Sequence, residues 1–177
     1  MSIEVINESD FSAIDESEFV ALAKHVFTQM RVDLLADLTI VFNTPEEMAR
    51  LHKQWMGLDG PTDVMSFPID ELTPGILGNR VDATSLRGET PVLDLCLGDI
   101  AICPEVASKQ AIGTGHTAHE EMLLLAVHGI LHLLGYDHAK ADERKQMFDL
   151  QRQLLLGYIA NRDTLELSEV TIKGLPS

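Results

Sequence analysis

Residues 117–138 read T-A-H-E-E-M-L-L-L-A-V-H-G-I-L-H-L-L-G-Y-D-H, and this stretch decides the fold. Thr117 followed by Glu120 has the form of a capping box, which satisfies the first free N–H groups of a helix. From 118 to 134 the segment is apolar nearly all round, so the helix it forms is expected to be central and buried. Gly135 stops it, because glycine takes the left-handed conformation that closes helix ends. A helix without a solvent face needs other elements packed around it, and the flanking sequence supplies both strands and helices.

Ile3 and Val5 alternate with polar residues and predict a first strand. Asp15 with Glu18 resembles a second capping box, and Phe19, Leu22, Ala23, Val26, Phe27 and Met30 recur at helical spacing behind it. Leu38, Ile40 and Phe42 alternate as a second strand. Thr44-Pro45-Glu46-Glu47 is a helix start, with Met48, Leu51 and Trp55 as the apolar face and Gly57 as the stop. Thr62 to Phe67 reads as a third strand, 69–90 as a long loop, and Val92 to Cys103 as a fourth strand with a bend or bulge at Gly98. Pro104 opens a short helix to about Ile112. A last amphipathic helix starts near Asp142 and carries Met147, Leu150, Leu154 and Leu155, and residues 161–177 read as a frayed tail. The expectation is a single α+β domain over residues 1–160, with one mixed sheet of about four strands packed with about five helices.

Composition sets limits. The chain has 177 residues, 45% of them hydrophobic, which excludes a disordered protein. Its 13 Lys+Arg stand against 28 Asp+Glu, a net charge of −15. Binding nucleic acid by bulk electrostatics wants a basic surface, so non-specific RNA affinity is expected to be weak and salt-sensitive. The acidity is uneven: residues 1–23 hold six acids and no Lys or Arg, whereas acids and bases balance over 122–160. Lys140 and Arg144, four apart, share a helix face just beyond His138. Cys96 and Cys103 are an odd number of residues apart in a strand, so alternation puts them on opposite faces as reduced core residues. The N-terminus MSIEVINESD lacks a signal peptide's basic and apolar regions, and the longest apolar run, Met122 to Val127, is far short of the roughly 20 residues that span a bilayer. A soluble cytoplasmic protein without membrane contact is expected.

The chemistry gathers in the opening stretch. His128 and His132, four apart, project from one helix face a turn apart, and Gly135 lets the chain turn so that His138 returns towards them. Three neutral imidazoles with an open fourth position fit one catalytic-type Zn2+ per chain, although another divalent metal is possible. Burying three imidazoles without a common partner would leave polar groups unsatisfied. The spacing H-x-x-x-H-x-x-G-x-x-H is shared with metzincin peptidases, but those carry a Glu base where this chain has Gly129. Asp137 either orients a ligand imidazole or caps the turn after Gly135. Thr62 and Ser66 share a strand face and either hydrogen-bond phosphate in a cleft or serve packing. His116 and His119 are expected at the surface, and His25 and His52 on the polar sides of their helices.

The segment HGILHLLGYDH resembles the signature of the YbeY family, bacterial zinc-dependent single-strand endoribonucleases of ribosomal RNA maturation and ribosome quality control. PTDVMSFP (Pro61 to Pro68) and LGDIAICPEVA (Leu97 to Ala107) are similar to that family's other marker segments, in the same order, and the resemblance spans roughly residues 3–158. It implies His128, His132 and His138 as metal ligands, a sheet flanked by helices, and a cleft between sheet and metal. It implies single-stranded ribosomal RNA as substrate, 16S 3′ end maturation as a task, and the ribosome or its proteins as partners. One position departs: many family members have Arg where this chain has Met56, and Arg50 or Lys53 are the nearby candidates to replace it. Two other readings remain. One is a non-catalytic ribosome-assembly factor with a structural zinc, and the other a metzincin-like peptidase lacking its base.

Overall fold

The structure, a computed structural model, describes residues 2–32, 36–70 and 96–173. Four strands form one sheet: β1 (Ser2–Asn7), β2 (Asp37–Phe42), β3 (Val64–Pro68) and β4 (Cys96–Ile102). Five helices accompany them: α1 (Glu16–Gln29), α2 (Pro45–Met56), α3 (Pro104–Ile112), α4 (Ala118–Leu133) and α5 (Ala141–Lys173). The strand order is β1-β2-β4-β3, with β1, β2 and β4 parallel and β3 antiparallel on the edge. The mixed sheet and the five helices match the α+β expectation. The long loop read over 69–90 lies outside the described residues beyond Asp70, as do Val92 to Leu95 of the expected fourth strand.

The main core lies on one face of the sheet. Leu38, Ile40 and Phe42 of β2 meet Phe19, Leu22 and Val26 of α1 and Leu123, Val127 and Ile130 of α4, all fully or nearly fully buried. Phe19 meets Phe42 edge to face at 4.7 Å. Each such apolar side chain contributes about 1.5–3 kcal/mol of transfer free energy. Met147 and Leu154 of α5 close the core from outside, as their spacing predicted. A smaller cluster of Met48, Met65, Ala101 and Cys103 fills the other face, under α2.

The local readings hold in most details and fail in instructive ones. Thr117 and Glu120 form the full reciprocal capping box on α4. Asp15 caps α1 through Ser17, but Glu18 does not complete a box there. Its carboxylate turns instead to Arg162 on α5 (2.8 Å) and His119 on α4 (2.7 Å), two charge-assisted contacts that outweigh one backbone bond. Residues 161–173, read as a frayed tail, continue α5 as helix, and Arg162 anchors their start. The odd spacing of the cysteines does not set their faces as expected. A bulge at Gly98 shifts the β2–β4 register, so that Leu97 and Ile100, three apart, both enter the main core. Cys103 is buried, Cys96 is half-buried rather than a core residue, and both thiols are free. His25 is not simply on a polar face: it packs edge-on to Tyr158 of α5 at 5.8 Å, and burial lowers its pKa. Among the described residues no helix is long and apolar enough to cross a membrane.

Candidate metal centre

The opening helix ends in a backbone lock. Gly135 takes φ +95°, its N–H donates to the His132 carbonyl at 3.0 Å, and the Tyr136 N–H donates to the Leu131 carbonyl at 3.0 Å. This pair of bonds is the Schellman motif, which reverses the chain over the helix end. Tyr136 then packs against the main core, and the reversal brings His138 back over the last turn of α4. His128, His132 and His138 each offer a ring nitrogen, and these atoms lie within 4.8 Å of one another. The Nε2 atoms of His128 and His132 are 3.1 Å apart. Two ligands of a tetrahedral zinc at about 2.0–2.1 Å would stand about 3.3 Å apart, so this pair is already near chelating distance. The cluster can hold a metal ion.

Electrostatics favour that use. Burial, with His128 and His138 alongside, pushes the pKa of His132 down to about 4, and burial also lowers that of His128. Both rings are therefore neutral at pH 7 and keep a lone pair for a cation. Gln151, a buried residue of α5, accepts through Oε1 from His128 Nδ1–H across 2.8 Å and leaves Nε2 with its lone pair towards its neighbours. Phe148 of α5 lies nearly parallel to His138 (11°, 6.4 Å between centroids) and to His128 (22°). Gly129 faces the sheet, where a Cβ would stand 2.8 Å from Ile100 Cγ2. The position of the missing peptidase base is thus closed by packing.

The triad opens into a cleft of 1420 Å³ that also reaches β2, β3, β4 and the end of α2. Of the polar candidates, Asp137 and Ser66 line it. Asp137 Oδ1 accepts the His138 backbone N–H at 2.7 Å and so caps the turn, and its charge also acts on His132. The Ser66 hydroxyl donates to the Gly129 carbonyl at 3.2 Å, tying β3 to α4. The Thr62 hydroxyl donates to Asp63 at 3.3 Å instead. Asp63 lines the cleft and acts on the charge of His128. Met56 is 60% exposed at the cleft, whereas Arg50 is held by Glu47 and Gln54, and Lys53 by Asp59 at 2.9 Å. Arg144 stands beside the triad as its place after His138 implied, with Nε 3.5 Å from the His138 carbonyl. His116 is exposed near Glu121, and His119 is partly covered through its contact with Glu18.

Sequence reasoning misses three of these residues. Gln151 and Phe148 sit on a different helix from His128, and Asp63 is an ordinary acid in a strand entry. The only available signal was that Gln151 falls on the apolar stripe of α5, one residue after Leu150 and three before Leu154.

Known proteins resemble the chain over nearly its whole length. The family described as Endoribonuclease YbeY matches residues 4–158. A Beutenbergia cavernae protein of that name is 52% identical over 162 residues, covering 92% of this chain and 100% of that one. Its namesake from Bifidobacterium longum is 49% identical over 176 residues, 99% of this chain and 90% of the other. The solution structure of TM1509 from Thermotoga maritima matches with a TM-score of 0.59 at 25% identity over 92% of each chain. By the extent and identity of these matches, the chain belongs to the endoribonuclease YbeY family.

Proposed function

We propose that this chain is a zinc-dependent endoribonuclease of single-stranded ribosomal RNA, with His128, His132 and His138 as the metal ligands. Membership of the family makes it a hydrolase of RNA phosphodiester bonds. The ion, the single-strand preference, the ribosomal substrate and a cytoplasmic location beside the ribosome are the proposal. The observation that carries it is the convergence of three imidazole nitrogens within 4.8 Å in an open cleft. A three-histidine set with an open position suits Zn2+. A divalent ion held there supplies Lewis acidity towards a phosphoryl oxygen and lowers the pKa of the attacking group, a water or a ribose 2′-hydroxyl.

The chain's own residues prepare the site. Burial keeps His128 and His132 neutral, Gln151 holds the His128 ring, and Asp137 fixes the turn that presents His138. Ser66 holds α4 against β3. Thr62, with its hydroxyl on Asp63, orients that carboxylate rather than phosphate. We assign the activity to residues 1–160, with 161–177 dispensable for it. Metal analysis of the purified protein, paired with cleavage of single-stranded RNA by wild type and His132→Ala, tests the reading. Bound zinc and loss of cleavage in the variant are expected, and unchanged cleavage overturns it.

A second reading, a ribosome-assembly factor with a structural metal, draws on Met56 and on the engagement of Arg50 and Lys53 with acids of their own. It requires that chelation unfold the protein, because a structural zinc contributes folding energy outright. The backbone lock at Gly135 favours the catalytic reading, since that turn closes through its own hydrogen bonds. Retained helical circular dichroism after chelation, with cleavage lost, separates the two.

A further inference from the structure

The cleft that holds the triad also exposes a tryptophan. Met48 on α2 is fully buried, but Trp55, two turns on along the same stripe, is 63% exposed. The sequence places both on one apolar face, yet the second core ends before it reaches Trp55. The Trp55 ring meets Phe67 of β3 edge to face at 5.8 Å. Trp55 and Phe67 line the same cleft as His128, His132 and His138.

The charge of that cleft says what such a ring can receive. Six lining residues are acids (Glu8, Glu47, Asp63, Asp99, Glu121 and Asp137), and among the described residues no Lys or Arg lines it, Arg144 lying off that lining at the His138 carbonyl, away from α2. On α2 itself Arg50 and Lys53 are paired with Glu47 and Asp59. A phosphate backbone gains little from such walls, because its attraction to proteins comes from Lys and Arg. A nucleobase is neutral, and every base offers a face to an aromatic ring. That face is free only in an unpaired strand.

We propose that Trp55, braced by Phe67, is a stacking platform for an unpaired nucleobase of the RNA strand whose backbone reaches the triad. Stacking, not phosphate contact, then holds the strand at this end of the cleft, and a duplex is rejected because its base faces are covered. The proposal rests on the endoribonuclease reading above and names how that substrate is gripped.

Trp55 is the one tryptophan in the chain, so intrinsic fluorescence reads this site alone. The probes are an oligoadenylate of about 12 nucleotides, the same backbone without bases, and a perfect duplex. The expected result is quenching by the single strand and by neither of the others. Trp55→Ala should weaken binding of the single strand, read by anisotropy of a labelled oligonucleotide, by about 5- to 150-fold, and Trp55→Phe should restore most of it. The log–log salt slope should be no steeper than about −1, the value for roughly one phosphate on a single strand. Emission insensitive to the single strand, or equal quenching by the base-free backbone, overturns the proposal. Emission that responds to protein concentration instead overturns it in favour of self-association. Cleavage by wild type is measured separately: wild-type cleavage with Trp55→Ala unimpaired refutes the platform alone, whereas quenching without any cleavage refutes the nuclease reading alone.

Discussion

Replacing Gly129 by alanine tests the packing that seats the metal centre. A Cβ at this position would meet Ile100 Cγ2 at 2.8 Å, Cδ1 at 3.0 Å and Cγ1 at 3.2 Å. Ile100 is fully buried in β4. Overpacking a closed core costs about 1–3 kcal/mol. Alanine exceeds glycine in helix propensity by about 1 kcal/mol, so the net loss is roughly 0–2 kcal/mol. For a chain of this size that lowers Tm by up to about 8 °C. Because a small net change would be ambiguous, Gly157→Ala in α5 serves as the matched control. There a Cβ meets only His25 Nε2 at 3.4 Å and Cε1 at 3.8 Å, ordinary contact distances. The propensity gain is then unopposed, and Tm should rise by about 2–4 °C. Thermal and urea unfolding of the metal-free proteins should separate the two variants by about 1–3 kcal/mol. If Gly129→Ala stabilises as much as Gly157→Ala, the close approach of α4 to β4 is not as described and the reasoning fails. The same contact explains why no glutamate follows His128. A carboxylate there would be driven against Ile100 at a cost of at least several kcal/mol, so Gly129→Glu should unfold the protein rather than create a peptidase.

Gln151→Leu removes the partner of His128 Nδ1 and should lower metal affinity about 10- to 100-fold, read by competition with a chromogenic chelator; unchanged affinity would mean that Gln151 does not orient the ring. Gly98→Ala would place a Cβ 2.1 Å from the Phe67 carbonyl at a φ of +136°, and a loss of at least about 3 kcal/mol in urea unfolding is expected, because backbone cannot yield as a side chain can. The folded pKa of His132, about 4, lies below its ordinary 6.5, so the unfolded chain binds that proton more tightly. Stability of the metal-free protein is therefore full above pH 6.5 and should be lost as the pH falls towards 4, and an unchanged urea midpoint across that window would contradict it. Deleting residues 161–177 removes the Arg162–Glu18 contact and should cost about 1 kcal/mol in unfolding while leaving RNA cleavage intact; loss of cleavage would show that the segment belongs to the active domain.

Residues near in sequence were legible because helices and strands impose their own periods. The stripe from Phe19 to Phe27, the alternation of Leu38, Ile40 and Phe42, and the Thr117–Glu120 box all reappear as buried or capped positions. The triad was legible for the same reason, since a four-residue spacing and a glycine stop are local geometry. Local pattern misled wherever a distant element competed. Glu18 abandoned its box for Arg162, 144 residues away, and Trp55 kept its helical phase but, against Phe67 of the edge strand, stays largely exposed.

By itself, then, the sequence determined which segments are helix and strand, which helix is central, and that three histidines lie within reach of one another. Those properties follow from backbone periodicity and from a chain reversal only three residues long. Tertiary structure alone decided what surrounds them: Gln151 on His128 across 23 residues, and Ile100 closing the Gly129 position. It also decided that, among the described residues, acids and an exposed tryptophan line the cleft. Such contacts depend on how whole elements pack, and no period in the chain encodes which residue of one element will face which residue of another.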